Sequence, residues 1–203
     1  MVKAVALFLV LILAGCGPQL VQADVTRFHA LPPAGAAPSF TILPDAAQLG
    51  SLEFESYAQL VAAQLQGRGW RPVAAKAGAE AETMVRLSWG AGPPHTEYWS
   101  SPSSVYGGAG WGRNSWRGGG VWDPFPYTET RSLTTYGKWL TVDVLDGPAF
   151  RRGGTVKLFE GRAVAEGASP AVAPAIPYLV KALFTNFPGA SGSTVRVAVP
   201  VTP

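Results

Sequence analysis

Alternation of apolar and polar side chains most constrains what this chain can fold into. In residues 83–89, Val85, Leu87 and Trp89 occupy every second position, with Met84, Arg86 and Ser88 between them. A period of two indicates a strand with one buried face. The alternation recurs in two later segments, whose apolar faces are Leu140, Val142 and Val144, and Val195, Val197 and Val199. The sequence therefore predicts a sheet with one covered face.

Two amphipathic segments can cover that face. Residues 51–66 carry apolar side chains at helical spacing, Ser51 suits the N-cap, and Gly67 suits the stop. A second helix is predicted with Pro174 and Pro177 in its first turn and to end at Pro188-Gly189. Its expected buried side consists of Leu179, Val180, Leu183, Phe184 and Phe187.

The full set of further strands is predicted at residues 25–31, 39–43, 70–74, 155–166 and 194–200, and residues 127–146 are predicted to form a long strand or a hairpin. The class is α+β, with a mostly antiparallel sheet and two helices packed on one face. Each half has a helix between strands, which favours a weak internal duplication into two similar β-α-β halves. Residues 90–126 break the regularity and are expected to form a long Gly/Trp-rich loop.

The N-terminus predicts the location of the protein. Lys3 precedes the unbroken apolar run of residues 4–14, which is typical of a secretory signal peptide and too short to span a bilayer. The run ends in Leu13-Ala14-Gly15-Cys16, which resembles the bacterial lipobox. That resemblance implies removal of residues 1–15 and lipidation of Cys16, the only cysteine in the chain. The alternative is a plain signal peptide with an incidental cysteine.

Residues 16–24 are then expected to form a lipid-anchored tether, and residues 25–203 a single periplasmic domain. By resemblance to lipoproteins of enteric bacteria, Gly17 after the cysteine favours the outer membrane of a Gram-negative cell, facing the periplasm. Lipidation would attach fatty acids, palmitate among them, at Cys16. These fatty acids would make the membrane a partner. The formal charge is +3, and the Lys and Arg residues are scattered rather than clustered, so no nucleic-acid partner is expected.

Candidate ligand-binding residues lie in the irregular segment. Residues 89–122 hold five of the seven tryptophans, and we select Trp111, Trp116 and Trp122 with Arg113 and Arg117. Aromatic faces stack on sugar rings and arginine binds carboxylate or phosphate, so a glycan is the expected ligand. Two alternatives remain open, namely a surface loop whose tryptophans fold back onto the sheet, and self-association through exposed aromatic residues.

No catalytic, metal or cofactor site is expected. Glu97, Asp123 and Glu129 border the loop, but their spacing is not diagnostic of a glycosidase. The two histidines, His29 and His95, lie far apart in the sequence without a cluster of further ligands.

Several short motifs resemble one family of bacterial lipoproteins, the domain of unknown function DUF4136. They are Val25-Thr26-Arg27-Phe28, the helix end Gln66-Gly67-Arg68-Gly69-Trp70, the strand from Ala81 to Leu87, and Leu183-Phe184 followed by Asn186-Phe187-Pro188-Gly189. Members commonly carry aspartate where this chain has Glu82. The resemblance implies a lipid-anchored α+β envelope domain and brings no catalytic residues, because the family has no settled activity.

We therefore expect a non-enzymatic, lipid-anchored protein that binds an envelope protein or a glycan, or supports the outer membrane structurally. The alternatives are an envelope hydrolase acting on peptidoglycan or another glycan, and an accessory subunit of a transport or assembly complex.

Overall fold

The computed structural model describes residues 19–31, 37–73, 80–103 and 127–201. These ranges hold seven strands, namely β1 (Leu20–His29), β2 (Ser39–Ile42), β3 (Arg71–Pro72), β4 (Thr83–Ser103), β5 (Tyr127–Asp146), β6 (Lys157–Gly167) and β7 (Ser193–Pro200). They also hold the helices α1 (Leu52–Gln66), α2 (Gly147–Arg151) and α3 (Ile176–Phe184), and a 3-10 turn at Ala46–Gln48.

The strands form one sheet in the order β3-β2-β4-β5-β6-β1-β7. Strand β2 runs parallel to both β3 and β4, and the other neighbours are antiparallel. The predicted α+β class with a mostly antiparallel sheet is confirmed.

Helix α1 forms where the spacing predicts it. Its buried side chains are Phe54, Tyr57, Val61 and Leu65. The Ser51 hydroxyl accepts a hydrogen bond from the amide of Phe54 at 3.2 Å and caps the first turn. Helices α1 and α3 contribute to the same core, which also takes Val85, Leu87, Leu140, Val142 and Val144 from the sheet. Both helices therefore lie on one face.

Helix α3 is shorter than its apolar pattern suggests. It ends at Phe184, and Asn186 adopts a positive φ of 55°, so the chain leaves the helical path before Phe187. Phe187 is predicted on the helix but lies outside it, although it still packs against the core.

The opposite face carries a second, smaller cluster. Met84 and Leu145 point away from the helix side, pack with Ala81 and are covered by Phe150 of α2. Asp146 caps α2 by accepting a hydrogen bond from the amide of Ala149 at 2.6 Å. A side chain at Gly147 would place its Cβ 2.2 Å from the carbonyl oxygen of Ala81, so this approach requires glycine.

Two predicted boundaries are wrong. Strand β1 begins at Leu20, and Ala23 is buried, so residues 20–24 belong to the domain and not to a tether. Strand β4 continues to Ser103, so residues 90–103 are strand and not loop. The prolines at 93 and 94 hide this strand in the sequence, and a register shift between Ala91 and Pro94 accommodates them. The rest of the expected loop, residues 104–126, lies outside the described residues.

The two helix-containing units connect their strands differently. Helix α1 joins β2 and β3, which are neighbours in the sheet, whereas α3 joins β6 and β7, which are separated by β1. The expected likeness of the two halves therefore does not extend to the pairing of their strands.

Candidate functional site

The two ends of the sheet present different side chains. At one end lie Leu20, where β1 begins, and Gly167, where β6 stops and pairs with Tyr136 of β5. We call this the tether end, because only three residues separate Leu20 from Cys16. At the other end, the far end, His29 pairs with Phe159 and Arg27 pairs with Ser193.

Beyond Tyr136, strands β4 and β5 continue as a two-stranded ribbon at the tether end. We define the ribbon as residues 95–103 paired with residues 127–135, from His95 opposite Thr135 to Ser103 opposite Tyr127. Among the described residues, no other strand pairs with either of its edges. At about 3.3 Å per residue, the nine steps from Tyr136 to Tyr127 extend roughly 30 Å past the sheet.

The ribbon exposes large apolar side chains. Tyr98 is 73% exposed, and Trp99 and Leu133 are each 47% exposed. Trp99 lies opposite Arg131, and Leu133 lies opposite Glu97. Because alternate residues share a face, Trp99 and Leu133 lie on one face of the ribbon and Tyr98 on the other. The ribbon therefore offers an aromatic surface without a covering helix among the described residues.

The candidate carboxylates on the ribbon do not face each other. Glu97 pairs with His95 at 3.5 Å, and Glu129 pairs with Arg131 at 3.1 Å. The partner of Glu129 on β4 is Ser101, so the two acids are four steps apart along the strand, about 13 Å. The two acids of a glycosidase lie about 5 to 9.5 Å apart. Asp123 lies outside the described residues.

Most of the other predicted site residues also lie outside the described ranges, namely Cys16, Trp111, Arg113, Trp116, Arg117 and Trp122. Trp89 at the base of the expected loop is described, and it folds back onto α1. Its ring meets Tyr57 edge-on at 4.9 Å, and its Nε1 donates to Glu53 at 3.2 Å. Trp89 thus packs against the core.

Tyr57 also donates its hydroxyl to Glu53, at 2.9 Å. Burial, reinforced by this hydrogen bond to a carboxylate, raises the pKa of Tyr57 to about 12. The phenol is therefore held neutral, as a structural donor.

A shallow groove of about 500 Å³ opens on the uncovered face at the tether end. It is lined by Leu20, Val21, Gln22, Asp24, Val164, Glu166 and Arg196. Arg196 donates two hydrogen bonds to the carboxylate of Asp24, at 2.8 and 3.0 Å, and this pairing lowers the pKa of Asp24. Because Arg196 is already engaged by a carboxylate, the groove has no unpaired cation for an anionic ligand.

The middle of the uncovered face is polar, and several of its charged side chains contact one another or an aromatic ring. The Arg162 guanidinium lies 4.9 Å from the centre of the Trp139 ring, and that ring fills the space beside Gly90. Lys157 bridges Asp143 at 3.0 Å and Glu160 at 3.1 Å. Burial alone would lower the pKa of Lys157, but the hydrogen bonds with Asp143 and Glu160 together outweigh burial and raise the pKa.

The far end contains a cluster that sequence reasoning does not identify as a unit. Arg27 is 4% exposed and donates to three backbone carbonyls at the end of α3, those of Leu183 and Ala182 at 3.1 Å and of Thr185 at 2.8 Å. Arg68 donates to the neighbouring carbonyl of Phe184. Two cations thus satisfy the terminal carbonyls of one helix. Burial, with the nearby charge of Arg68 as a smaller cause, lowers the pKa of Arg27.

Aromatic rings complete this far-end cluster. The Arg68 guanidinium lies 5.2 Å from the ring centre of Phe184 and 5.8 Å from that of Phe187. Trp70 meets Phe187 edge-on at 6.3 Å. Three motifs that are distant in the sequence, at 25–28, 66–70 and 186–189, therefore meet in one place. Their shared role is to join β1, α1 and α3, and all of their described charges are occupied by the protein itself.

The histidines do not assemble a metal site in the described part of the chain. His29 contacts the carbonyl of Gly189 at 3.0 Å, and His95 lies on the ribbon. Within those residues, no group of three or more His, Cys, Asp or Glu side chains is placed to hold a metal ion. No helix in the same residues is long and apolar enough to cross a membrane.

Solved structures with similar folds are distant. A PDZ domain protein from Parabacteroides distasonis aligns at 12% identity and a TM-score of 0.44 over 90% of this chain, which spans only 40% of that protein. The PelC dodecamer from Paraburkholderia phytofirmans aligns at 11% identity and a TM-score of 0.38, over 79% of this chain and 94% of PelC. A variant of the PelC dodecamer with one substitution aligns over the same shares at 8% identity and a TM-score of 0.38. No curated protein matched the sequence.

One family matches most of the chain, over residues 24–189, and it is described as Domain of unknown function (DUF4136). The match includes the three motifs that build the far-end cluster and both strands of the ribbon. The chain belongs to the DUF4136 family.

Proposed function

We propose that this protein is a non-enzymatic, lipid-anchored module of the cell envelope, held on the periplasmic face of the outer membrane of a Gram-negative cell. The observation that carries the proposal is the sequence Leu13-Ala14-Gly15-Cys16 placed immediately before the domain. Strand β1 begins four residues after Cys16. An acyl group at Cys16 would therefore hold the tether end of the sheet close to the bilayer.

Metabolic labelling tests the anchor. The full-length chain and its Cys16→Ser variant are expressed in a Gram-negative host with a clickable palmitate analogue. We expect label on the first protein only, and co-sedimentation with outer membranes. A second control, Gly17→Asp, should keep the label and move the protein toward the inner membrane. Equal labelling of the chain and Cys16→Ser would contradict the proposal.

The binding activity is proposed to lie in the segment between β4 and β5, with Trp111, Trp116, Trp122, Arg113 and Arg117 as contacts. The support is its composition together with its connection to the ribbon, which exposes further aromatic residues. Soluble residues 17–203 are titrated with peptidoglycan fragments and with lipopolysaccharide, following tryptophan fluorescence. We expect a saturable change that is lost when residues 106–120 are deleted.

A change that survives the deletion would place the ligand elsewhere, and no change would direct the search to protein partners. Crosslinking in cells would then trap one protein partner if the domain is an accessory subunit of an envelope complex. An envelope hydrolase predicts release of product that stops when Glu97, Asp123 or Glu129 is changed to Gln. A binding module predicts no release of product.

A further inference from the structure

We propose that the ribbon rests on the membrane that holds the Cys16 anchor, with Trp99 and Leu133 in the lipid–water interface. This inference rests on the proposed lipidation of Cys16, and it adds a second, non-covalent contact between the domain and the bilayer.

The strand directions define the end of the sheet from which the ribbon extends. Strand β1 is antiparallel to β6, and β6 is antiparallel to β5, so β1 and β5 run the same way. Gly167 of β6 pairs with Tyr136, and Val164, three residues earlier, pairs with Asp24. The residues that precede Leu20 and those that precede Tyr136 therefore leave the sheet from the same end. The ribbon therefore extends from the end of the sheet at which β1 begins.

The distance that the chain can span from Leu20 to Cys16 is similar to the distance from the sheet to the exposed ribbon residues. The four steps from Leu20 back to Cys16 reach at most about 14 Å, at roughly 3.6 Å per residue. Leu133, Tyr98 and Trp99 lie level with β5 positions three, four and five steps beyond Tyr136, or about 10, 13 and 17 Å along the ribbon. Two successive twists of about 20 to 25° turn β5 away from β1, which shortens the advance of Trp99 to about 12 Å. Where the anchor continues along the direction of β1, the bilayer that holds the lipid on Cys16 would therefore lie level with Trp99 and Leu133.

The exposed residues of the ribbon are of the types that favour a membrane–water interface. Trp and Tyr are the side chains that concentrate at membrane–water interfaces, because an apolar ring and a polar group suit the headgroup level. Leu133 adds an aliphatic group on the same face as Trp99. Among the described ribbon residues, the ionisable side chains contact one another, Glu97 with His95 at 3.5 Å and Glu129 with Arg131 at 3.1 Å. We therefore expect contact with a neutral phospholipid surface that does not depend on anionic lipid.

The unique cysteine allows a site-specific test. Once the Cys16 thiol is alkylated, an introduced cysteine is the only free thiol. Leu133→Cys on the ribbon and Val156→Cys at the far end are similarly exposed, at 47% and 51%. Each lipidated full-chain variant is labelled with a polarity-sensitive fluorophore and reconstituted into phosphatidylcholine vesicles, with and without brominated lipid.

We expect the label at 133 to shift to the blue and to be quenched by brominated lipid, and the label at 156 to do neither. Replacing part of the phosphatidylcholine with phosphatidylglycerol should change neither result. Unquenched, unshifted labels at both positions on lipidated protein would overturn the membrane contact and leave the anchor intact.

A blue shift at 133 that ignores brominated lipid and grows with protein density would also overturn it, and would assign the ribbon to a second copy of the chain. Failure of the proposed function is separately visible, because Cys16 would then carry no acyl group by mass spectrometry. Circular dichroism of both labelled variants checks that the fold is unchanged.

Discussion

The far end and the tether end of the sheet differ in how their side chains are used. At the far end, Arg27 and Arg68 are bound to backbone carbonyls, and Trp70 and Phe187 pack on each other. At the tether end, Tyr98 and Trp99 are largely exposed. Large aromatic residues thus complete the core at one end and remain open to an external surface at the other. The motifs that mark the family describe how the domain is built, and its contacts with other molecules are to be sought at the opposite end.

The largest expected effect would break the far-end cluster. Arg27→Met keeps much of the apolar stem but removes three hydrogen bonds to the carbonyls that end α3. Leaving buried carbonyls without donors should lower the free energy of unfolding by about 3 kcal/mol, measured by urea denaturation. Arg131→Met on the ribbon is the matched control and should leave the midpoint unchanged. Equal losses in both variants would remove the distinction between the two ends.

A smaller loss is expected where α3 presses on β6. A Cβ added at Gly161 would lie 2.6 Å from the Phe159 ring and 2.9 Å from Leu183. Gly161→Ala should therefore cost roughly 1 to 3 kcal/mol of unfolding free energy through overpacking. Gly92→Ala, near the base of the ribbon, would meet only an ordinary contact of 3.5 Å and serves as its control. A harmless Gly161→Ala would mean that this part of the core is loosely packed.

Alkaline pH should weaken the contact between α1 and the base of β4. The pKa of Tyr57 is raised from 10.0 to about 12, so the unfolded chain loses this proton first. The stabilisation is complete below pH 10 and is lost as the pH rises through 12. The free energy of unfolding should fall more steeply over this window in the parent protein than in Tyr57→Phe. Loss of the Lys157 pairing contributes in the same direction in both proteins and cancels in the comparison.

The smallest effect on stability is expected on the ribbon itself. Trp99→Ser removes a half-exposed ring that belongs to neither hydrophobic core cluster. The free energy of unfolding should change by no more than about 0.5 kcal/mol, while association with phosphatidylcholine vesicles weakens. Sedimentation with vesicles measures the association, and urea denaturation of the same preparation measures the free energy of unfolding. A large loss of stability would show that Trp99 is a structural residue like Trp89.

Local patterns in the sequence predict those helices and strands whose bounds are set by residues close in the sequence. The helical spacing from Phe54 to Leu65, with Ser51 before it and Gly67 after it, defines α1 closely. The predicted bounds of β5, 127–146, agree with the structure. The end of α3 is not predicted, because the position of Phe187 depends on packing against Trp70 and Phe184 and not on helical periodicity.

Such local patterns do not predict the ribbon or the far-end cluster. Strand β4 passes through glycines and prolines that disfavour a strand, and its pairing with β5 compensates for them. In the sequence, Arg27 and Arg68 resemble ordinary surface cations, since their partners are backbone carbonyls more than 100 residues away. Only the short family motifs signal that these residues matter, and nothing in them shows that the motifs meet.

The place of β1 in the sheet has a consequence for the export that we propose. This strand would be the first described part of the chain to emerge after the signal peptide, yet its neighbours are β6 and β7, among the last parts to emerge. Its backbone pairings must wait for residues 157–200. Contacts this distant in sequence form slowly. During the proposed export, β1 would therefore stay without its sheet partners until most of the chain has emerged.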